Sequence, residues 1–135
     1  MGQTVTEPIG ADTLTINAVP EQASKARAFA RATLRRYGCS PNSIDNGELI
    51  VSELTTNAIN AAPGQKIEIS LFPVGELIAI YVYDPTDDLP KQKTVGPGDE
   101  TGRGIPIVKY CSRRSGVFKS VSGGKVVWAM MERYS

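Results

Sequence analysis

The sequence of 135 residues predicts an α/β two-layer sandwich, a mixed and mostly antiparallel sheet with its helices on one face. Three observations predict it. Alternating apolar and polar segments follow one another in pairs, as hairpins do. Two helical segments stand together between the first strand and the first hairpin. The regular strand–helix alternation of a doubly wound parallel sheet is missing.

Taking the elements in order, Leu14, Ile16 and Ala18 alternate with Thr13, Thr15 and Asn17, a half-buried strand ended by Pro20. Glu21 to Tyr37 reads as a helix, with Ala26, Ala30, Leu34 and Tyr37 on one side and most of its basic residues on the other; Gly38 stops it. Ser40-Pro41 is a helix start, serine as cap and proline where its missing N–H costs nothing. This second helix runs to about Ala61, with Ile44, Val51, Leu54, Ala58 and Ala61 as its buried stripe. Lys66–Phe72 and Leu77–Tyr83 form a hairpin around a turn at Pro73–Glu76. Pro85–Thr101, rich in proline and glycine and poor in apolar side chains, reads as a mobile lid or binding loop. Gly102–Cys111 is a short helix, and Arg113–Ser120 and Lys125–Arg133 are closing strands joined by Ser122-Gly123-Gly124. Met1 to Asp12 reads as a disordered tail, which leaves a single domain over 13–135.

Composition narrows the function classes. An apolar fraction of 41% with 21% charged residues belongs to a globular chain, and a net charge of +1 offers no basic field for direct nucleic-acid binding. No apolar run is long enough to span a membrane and no signal-peptide pattern opens the chain, so a cytoplasmic protein without membrane contact is expected. Histidine is absent, which removes Ser-His-Asp and Cys-His chemistry and leaves acid–base work to carboxylates, lysines or water. Cys39 and Cys111 stand far apart in no metal-ligand pattern and read as two reduced thiols, although the spacing permits a disulfide.

Glu53 and Asn57 are four residues apart and share a helix face, with Asn60 one turn later. An amide oxygen suits a hard cation such as magnesium, and a carboxylate can orient water or take a proton from a hydroxyl. A solvated helix face would show the same pair. Gly102-Arg103-Gly104 opens a helix after a loop, where backbone N–H groups and the helix dipole favour a phosphate; an ordinary loop-to-helix turn looks the same in isolation. Asp84 ends an apolar strand, where its carboxylate could accept from an exocyclic amine such as adenine's or cap the turn at Pro85. Lys109, Arg113 and Arg114 read as solvated helix-end and strand-start charges.

Together and in order these segments resemble the GHKL ATPases, the superfamily of gyrase, histidine kinases and MutL-type proteins, and within it the short anti-sigma-factor serine kinases of actinobacteria. Glu53-Leu54-Thr55-Thr56-Asn57-Ala58 is similar to the family's first motif, and Asp84 to its adenine-reading aspartate. The glycine motif of the ATP lid resembles Thr101-Gly102-Arg103-Gly104-Ile105-Pro106-Ile107-Val108, and the closing strand resembles Gly124-Lys125-Val126-Val127-Trp128-Ala129. The resemblance implies a Bergerat-type ATP-binding fold. It implies ATP and Mg²⁺ as cofactors, Asn57 on the metal and Glu53 as catalytic base. Asp84 would lie on adenine, and Thr101, Gly102, Arg103, Gly104 and Ile105 on the phosphates. It further implies serine/threonine kinase activity towards a STAS-domain anti-anti-sigma partner, with a sigma factor as the alternative partner; the oligomeric state, a homodimer included, is left open. The sequence departs from the family pattern in two places. Asp84-Pro85-Thr86-Asp87-Asp88 lacks the glycines of D-x-G-x-G, and Lys125 and Val126 stand where many relatives have threonines. A module that sequesters a partner without kinase turnover is the alternative reading.

Overall fold

A computed structural model describes residues 10–87, 108–109 and 111–135. Strands β1 (Asp12–Asn17), β2 (Lys66–Val74), β3 (Leu77–Asp84), β4 (Arg114–Lys119) and β5 (Lys125–Glu132) form one five-stranded sheet in the order β1-β2-β3-β5-β4. Every pairing among the described residues is antiparallel, in keeping with the mostly antiparallel sheet that the sequence predicts. A 3₁₀ turn at Pro20–Gln22 leads into α1 (Ala23–Arg36), and α2 (Pro41–Ala61) follows at once. The first strand opens at Asp12, one residue ahead of the alternation that marks it in the sequence.

Strand periodicity decides which residues meet the helices. On β3 the residues Ile78, Ile80 and Val82 are buried, and the pairing places Met131, Ala129 and Val127 of β5 on the same face. Ile67, Ile69 and Leu71 of β2 continue that face, and Ile16 of β1 ends it. Against it lie Ala26, Ala30 and Leu34 of α1 and Ile50, Val51, Leu54 and Ala58 of α2. Ala61 is exposed, and Ala62, just past the helix end, is buried in its place. The last turn therefore faces differently from what the periodicity predicts.

Two local devices hold the helices on the sheet. Ser40 Oγ accepts from the Ser43 N–H at 3.2 Å, with Pro41 at the first helical position, as the sequence predicts for the start of α2. At Gly47 the helices and sheet come so close that an added Cβ would stand 2.3 Å from Leu34 Cδ1 and 3.2 Å from Met131 Sδ. Since Leu34 is buried, it has little room to yield, and glycine here exchanges helix propensity for close packing. The turn between β2 and β3 is only Gly75-Glu76, shorter than the sequence suggests. Pro73 belongs to the strand, at a position beyond the reach of β1, whose pairing stops at Leu71.

Past the end of α1 and its cap Tyr37, Gly38 has a φ of +74°, the left-handed conformation expected of a stop glycine. The Arg133 guanidinium closes this end, its Nε and Nη2 donating to the Tyr37 carbonyl at 3.0 and 2.5 Å, a cation placed at the negative end of the helix. The Tyr37 hydroxyl proton is shared between the Asp12 carboxylate and the Leu71 carbonyl, the latter 2.8 Å away, and so ties α1 to β1 and β2. Desolvation, and after it the Asp12 carboxylate, raises the Tyr37 phenol above its ordinary value. The Tyr37 hydrogen bond, with help from Arg36, lowers Asp12.

Tyr37→Phe is expected to cost about 1–2 kcal/mol, since both acceptors lose their donor. The phenol's contribution is fully present below its unfolded value, about 10. It is lost as pH rises through the higher folded value. The wild-type advantage over Tyr37→Phe in urea unfolding should therefore shrink above about pH 10. An advantage that grows with pH there would show that the phenol is not held protonated by these contacts.

The opposite face of the sheet has no helix upon it among the described residues. Phe72, Tyr81 and Phe118 cross it edge to face, with ring centroids 5.1 and 5.8 Å apart. The Trp128 indole lies over Gly116, its register partner on β4, where an added Cβ would meet the ring at 2.9 Å. No helix of the described residues is long and apolar enough to cross a membrane.

Candidate functional site

The site is built where β3 and β5 meet at one end of the sheet. An eight-residue strand, Leu77–Asp84, is apolar until its last position, and the register sets Asp84 opposite Lys125, the first residue of β5. Asp84 follows Ile78, Ile80 and Val82 in the two-residue period, so its side chain belongs to the helix-covered face. The same holds for Lys125, which precedes Val127 and Ala129. Two ionisable residues thus end up at 1% and 3% exposure.

They satisfy each other. Lys125 Nζ donates to Asp84 Oδ1 at 3.0 Å and to Thr86 Oγ1 at 2.7 Å. The Thr86 backbone N–H and hydroxyl also donate to Oδ1, at 2.9 and 2.5 Å. The Thr86 contacts are an Asx-type turn, the cap that Asp84-Pro85 suggests in the sequence. All four bonds close a small network, and three of them converge on one carboxylate oxygen. Oδ2 takes none of the three.

Around this pair the backbone is drawn in closely. Gly124, with φ of +80°, lies so near the end of β3 that a Cβ would stand 2.5 Å from the Asp84 carbonyl and 2.9 Å from Pro85 Cα. Only glycine fits both the conformation and the space. Its N–H donates to Asp87 Oδ1 at 3.3 Å, and the Tyr83 hydroxyl donates to the Gly123 carbonyl at 3.2 Å. Burial raises the Tyr83 phenol above its ordinary value, and the carboxylates of Glu68, Asp84 and Asp87 add to the effect.

Helix α2 brings the second group of residues to the same end. It begins beside Glu132, whose carbonyl accepts from the Ser43 hydroxyl at 2.9 Å, and Gly47 packs on Met131. It ends just before Lys66, where β2 starts, at the end of the sheet that holds Asp84. Its 21 residues span roughly 31 Å, about the length of the strands below it. Glu53 and Asn57 therefore ride on the half of α2 that approaches the Asp84–Lys125 end. Glu53 is half-buried, and Asn57 and Asn60 are exposed. Between Glu53 and Asn57, Thr55 is fully buried with its Oγ1 unpartnered among the described residues, a polar atom inside the motif still open to a donor or acceptor.

The remaining sequence-predicted residues, Thr101, Gly102, Arg103, Gly104 and Ile105, lie outside the described residues, as does all of the lid predicted over Pro85–Thr101 except its first three residues. Of the helix predicted to follow, Val108, Lys109 and Cys111 are helical, and Val108 joins the core. Cys39 and Cys111 are free thiols, both raised in pKa by burial. The interaction that sequence reasoning missed is the Asp84–Lys125 pair. Its one signal in the sequence is a lysine heading the apolar run Val126-Val127-Trp128-Ala129-Met130-Met131.

The residues suit a magnesium nucleotide in kind. Asn57 would supply a neutral oxygen ligand and Glu53 a carboxylate on the same helix face, and magnesium takes the rest of its shell from waters and phosphate oxygens rather than an all-protein cage. No cluster of three or more His, Cys, Asp or Glu side chains suited to a metal exists among the described residues. Asp84 offers a buried acceptor of the sort an exocyclic amine needs.

A family model described as histidine kinase-like ATPase domain matches residues 16–131. Among solved structures, the RsbU and RsbW domains of Rv1364c from Mycobacterium tuberculosis superpose with a TM-score of 0.69 at 17% sequence identity. The match covers 95% of this chain and 34% of that one, so the chain spans about a third of the length of its structural relative. A search of curated proteins finds no match.

Proposed function

Because the chain belongs to the histidine kinase-like ATPase domain family, we propose that it binds ATP with magnesium. We further propose that it acts in the cytoplasm as an anti-sigma factor that phosphorylates a serine or threonine of a STAS-type partner. The observation that carries the nucleotide reading is the buried carboxylate of Asp84 at the end of β3, with the Glu53–Asn57 half of α2 directed to the same end of the sheet. In this reading Asp84 Oδ2 accepts from the adenine amine and Asn57 Oδ1 ligates the metal. Bound magnesium supplies charge neutralisation for the phosphates. Glu53 then orients the attacking hydroxyl and accepts its proton. Thr101 to Ile105 would contribute backbone N–H groups to the phosphates. Sigma-factor binding accompanies this role in the family the sequence resembles. The RsbW domain of the structural relative is in keeping with it.

Saturating Mg-ATP should raise the thermal midpoint, since a ligand at about a hundredfold its Kd stabilises the native state by about 2.7 kcal/mol. Calorimetry without heat, together with an unmoved midpoint, would remove the nucleotide from the reading. A second reading, a partner-sequestering module without turnover, is favoured by the ion pair itself: Lys125 already engages the carboxylate that adenine would use. Tight binding of a STAS-domain protein with no phosphate transferred would decide for it.

A further inference from the structure

We propose that Lys125 is the base-selectivity residue of the nucleotide site, a built-in competitor for Asp84 that weakens recognition of the adenine amine. The inference rests on the nucleotide reading above. The Lys125 ammonium sits 3.0 Å from Asp84 Oδ1 and compensates the carboxylate before any ligand arrives. Thr86 adds two more donors to the same oxygen. An amine that approaches Oδ2 therefore meets half of an ion pair. Its hydrogens carry the same sign of charge as the neighbouring ammonium, and both effects reduce what the contact contributes. A free carboxylate would accept a charge-assisted bond, roughly twice as strong as a neutral one.

The arrangement leaves Lys125 little freedom to withdraw. Gly124 precedes it with its backbone against the Asp84 carbonyl, and Lys125 pairs in register with both Asp84 and Lys119. Its side chain is almost wholly enclosed, with Thr86 Oγ1 as its second acceptor. A threonine there would be too short to bridge to Asp84 as an ammonium does.

The test is calorimetry with Mg-ATP and with the magnesium complex of purine riboside triphosphate, which lacks the 6-amine. Wild type should bind the two nucleotides within about threefold of each other, the amine contributing no more than a weak neutral contact. Lys125→Thr and Lys125→Met should each bind Mg-ATP on the order of tenfold tighter than wild type, while the amine-free nucleotide gains little. Lys125→Met keeps a long aliphatic stem in the buried slot, and circular dichroism confirms that each variant is folded. A wild type that prefers Mg-ATP to the amine-free nucleotide by tenfold or more overturns the proposal without recourse to any variant. So does a variant whose gain is equal for both nucleotides, or absent. If neither nucleotide binds wild type or folded variants, the nucleotide reading falls and this inference with it; binding by wild type with no variant gain removes the inference alone.

Discussion

Asp84→Ala is expected to destabilise the domain by about 3–5 kcal/mol, because it leaves the Lys125 ammonium buried with no counter-charge. For a domain of this size that is a fall of roughly 10–20 °C in thermal midpoint. Coulomb attraction across 3.0 Å does not by itself make the pair stabilising, since desolvating both ions costs a comparable amount. The expected loss comes from the uncompensated partner. Asp84→Ala/Lys125→Met should therefore recover much of it, as a hydrophobic pair often replaces a buried ion pair without loss. Urea unfolding of wild type, the single variant and the double variant measures all three. A single variant that unfolds with the wild type would mean that Lys125 finds water or another acceptor, and that the pair is not closed.

The second large effect concerns chemistry. Glu53→Gln is expected to slow phosphorylation of a STAS-type partner by about 10²–10⁴ while Mg-ATP binding is largely kept. The amide retains the size of the side chain and loses the proton acceptor. Asn57→Ala, one helical turn away, should depress binding and transfer together, because in the proposed site Asn57 would hold the metal that places the phosphates. Single-turnover assays with mass spectrometry of the acceptor serine separate the two patterns. Equal turnover of Glu53→Gln and wild type would reduce Glu53 to a helix-surface carboxylate.

Helix α2 was legible to the residue at both ends, because Ser40-Pro41 encodes a start in local chemistry and Pro63-Gly64 prevents continuation. The strands were legible to within one or two residues, since alternation is also a local property. What the sequence concealed depends on contacts between distant segments. Gly47 and Thr55 face the core of α2 without being apolar, so hydrophobic periodicity passes over them. Thr33 does the same on α1. The partnership of Asp84 with Lys125 joins residues 41 apart, and it follows only from the order in which β3 and β5 pair. The candidate site was legible as residue types in sequence order; its electrostatic state was not. A carboxylate at the end of a strand reads the same whether or not an ammonium stands beside it.

Trp128 is the single tryptophan of the chain, and its indole lies on Gly116 on the side of the sheet that carries no helix among the described residues. Asp84 and Lys125 face the other side, so the strand that supplies Lys125 also separates the fluorophore from the site. Intrinsic emission thus reports on the pairing of β4 with β5 and on anything that covers the aromatic strip of Phe72, Tyr81 and Phe118. One optical signal reads the aromatic face of the sheet, while a ligand at Asp84 on the opposite face calls for a label of its own.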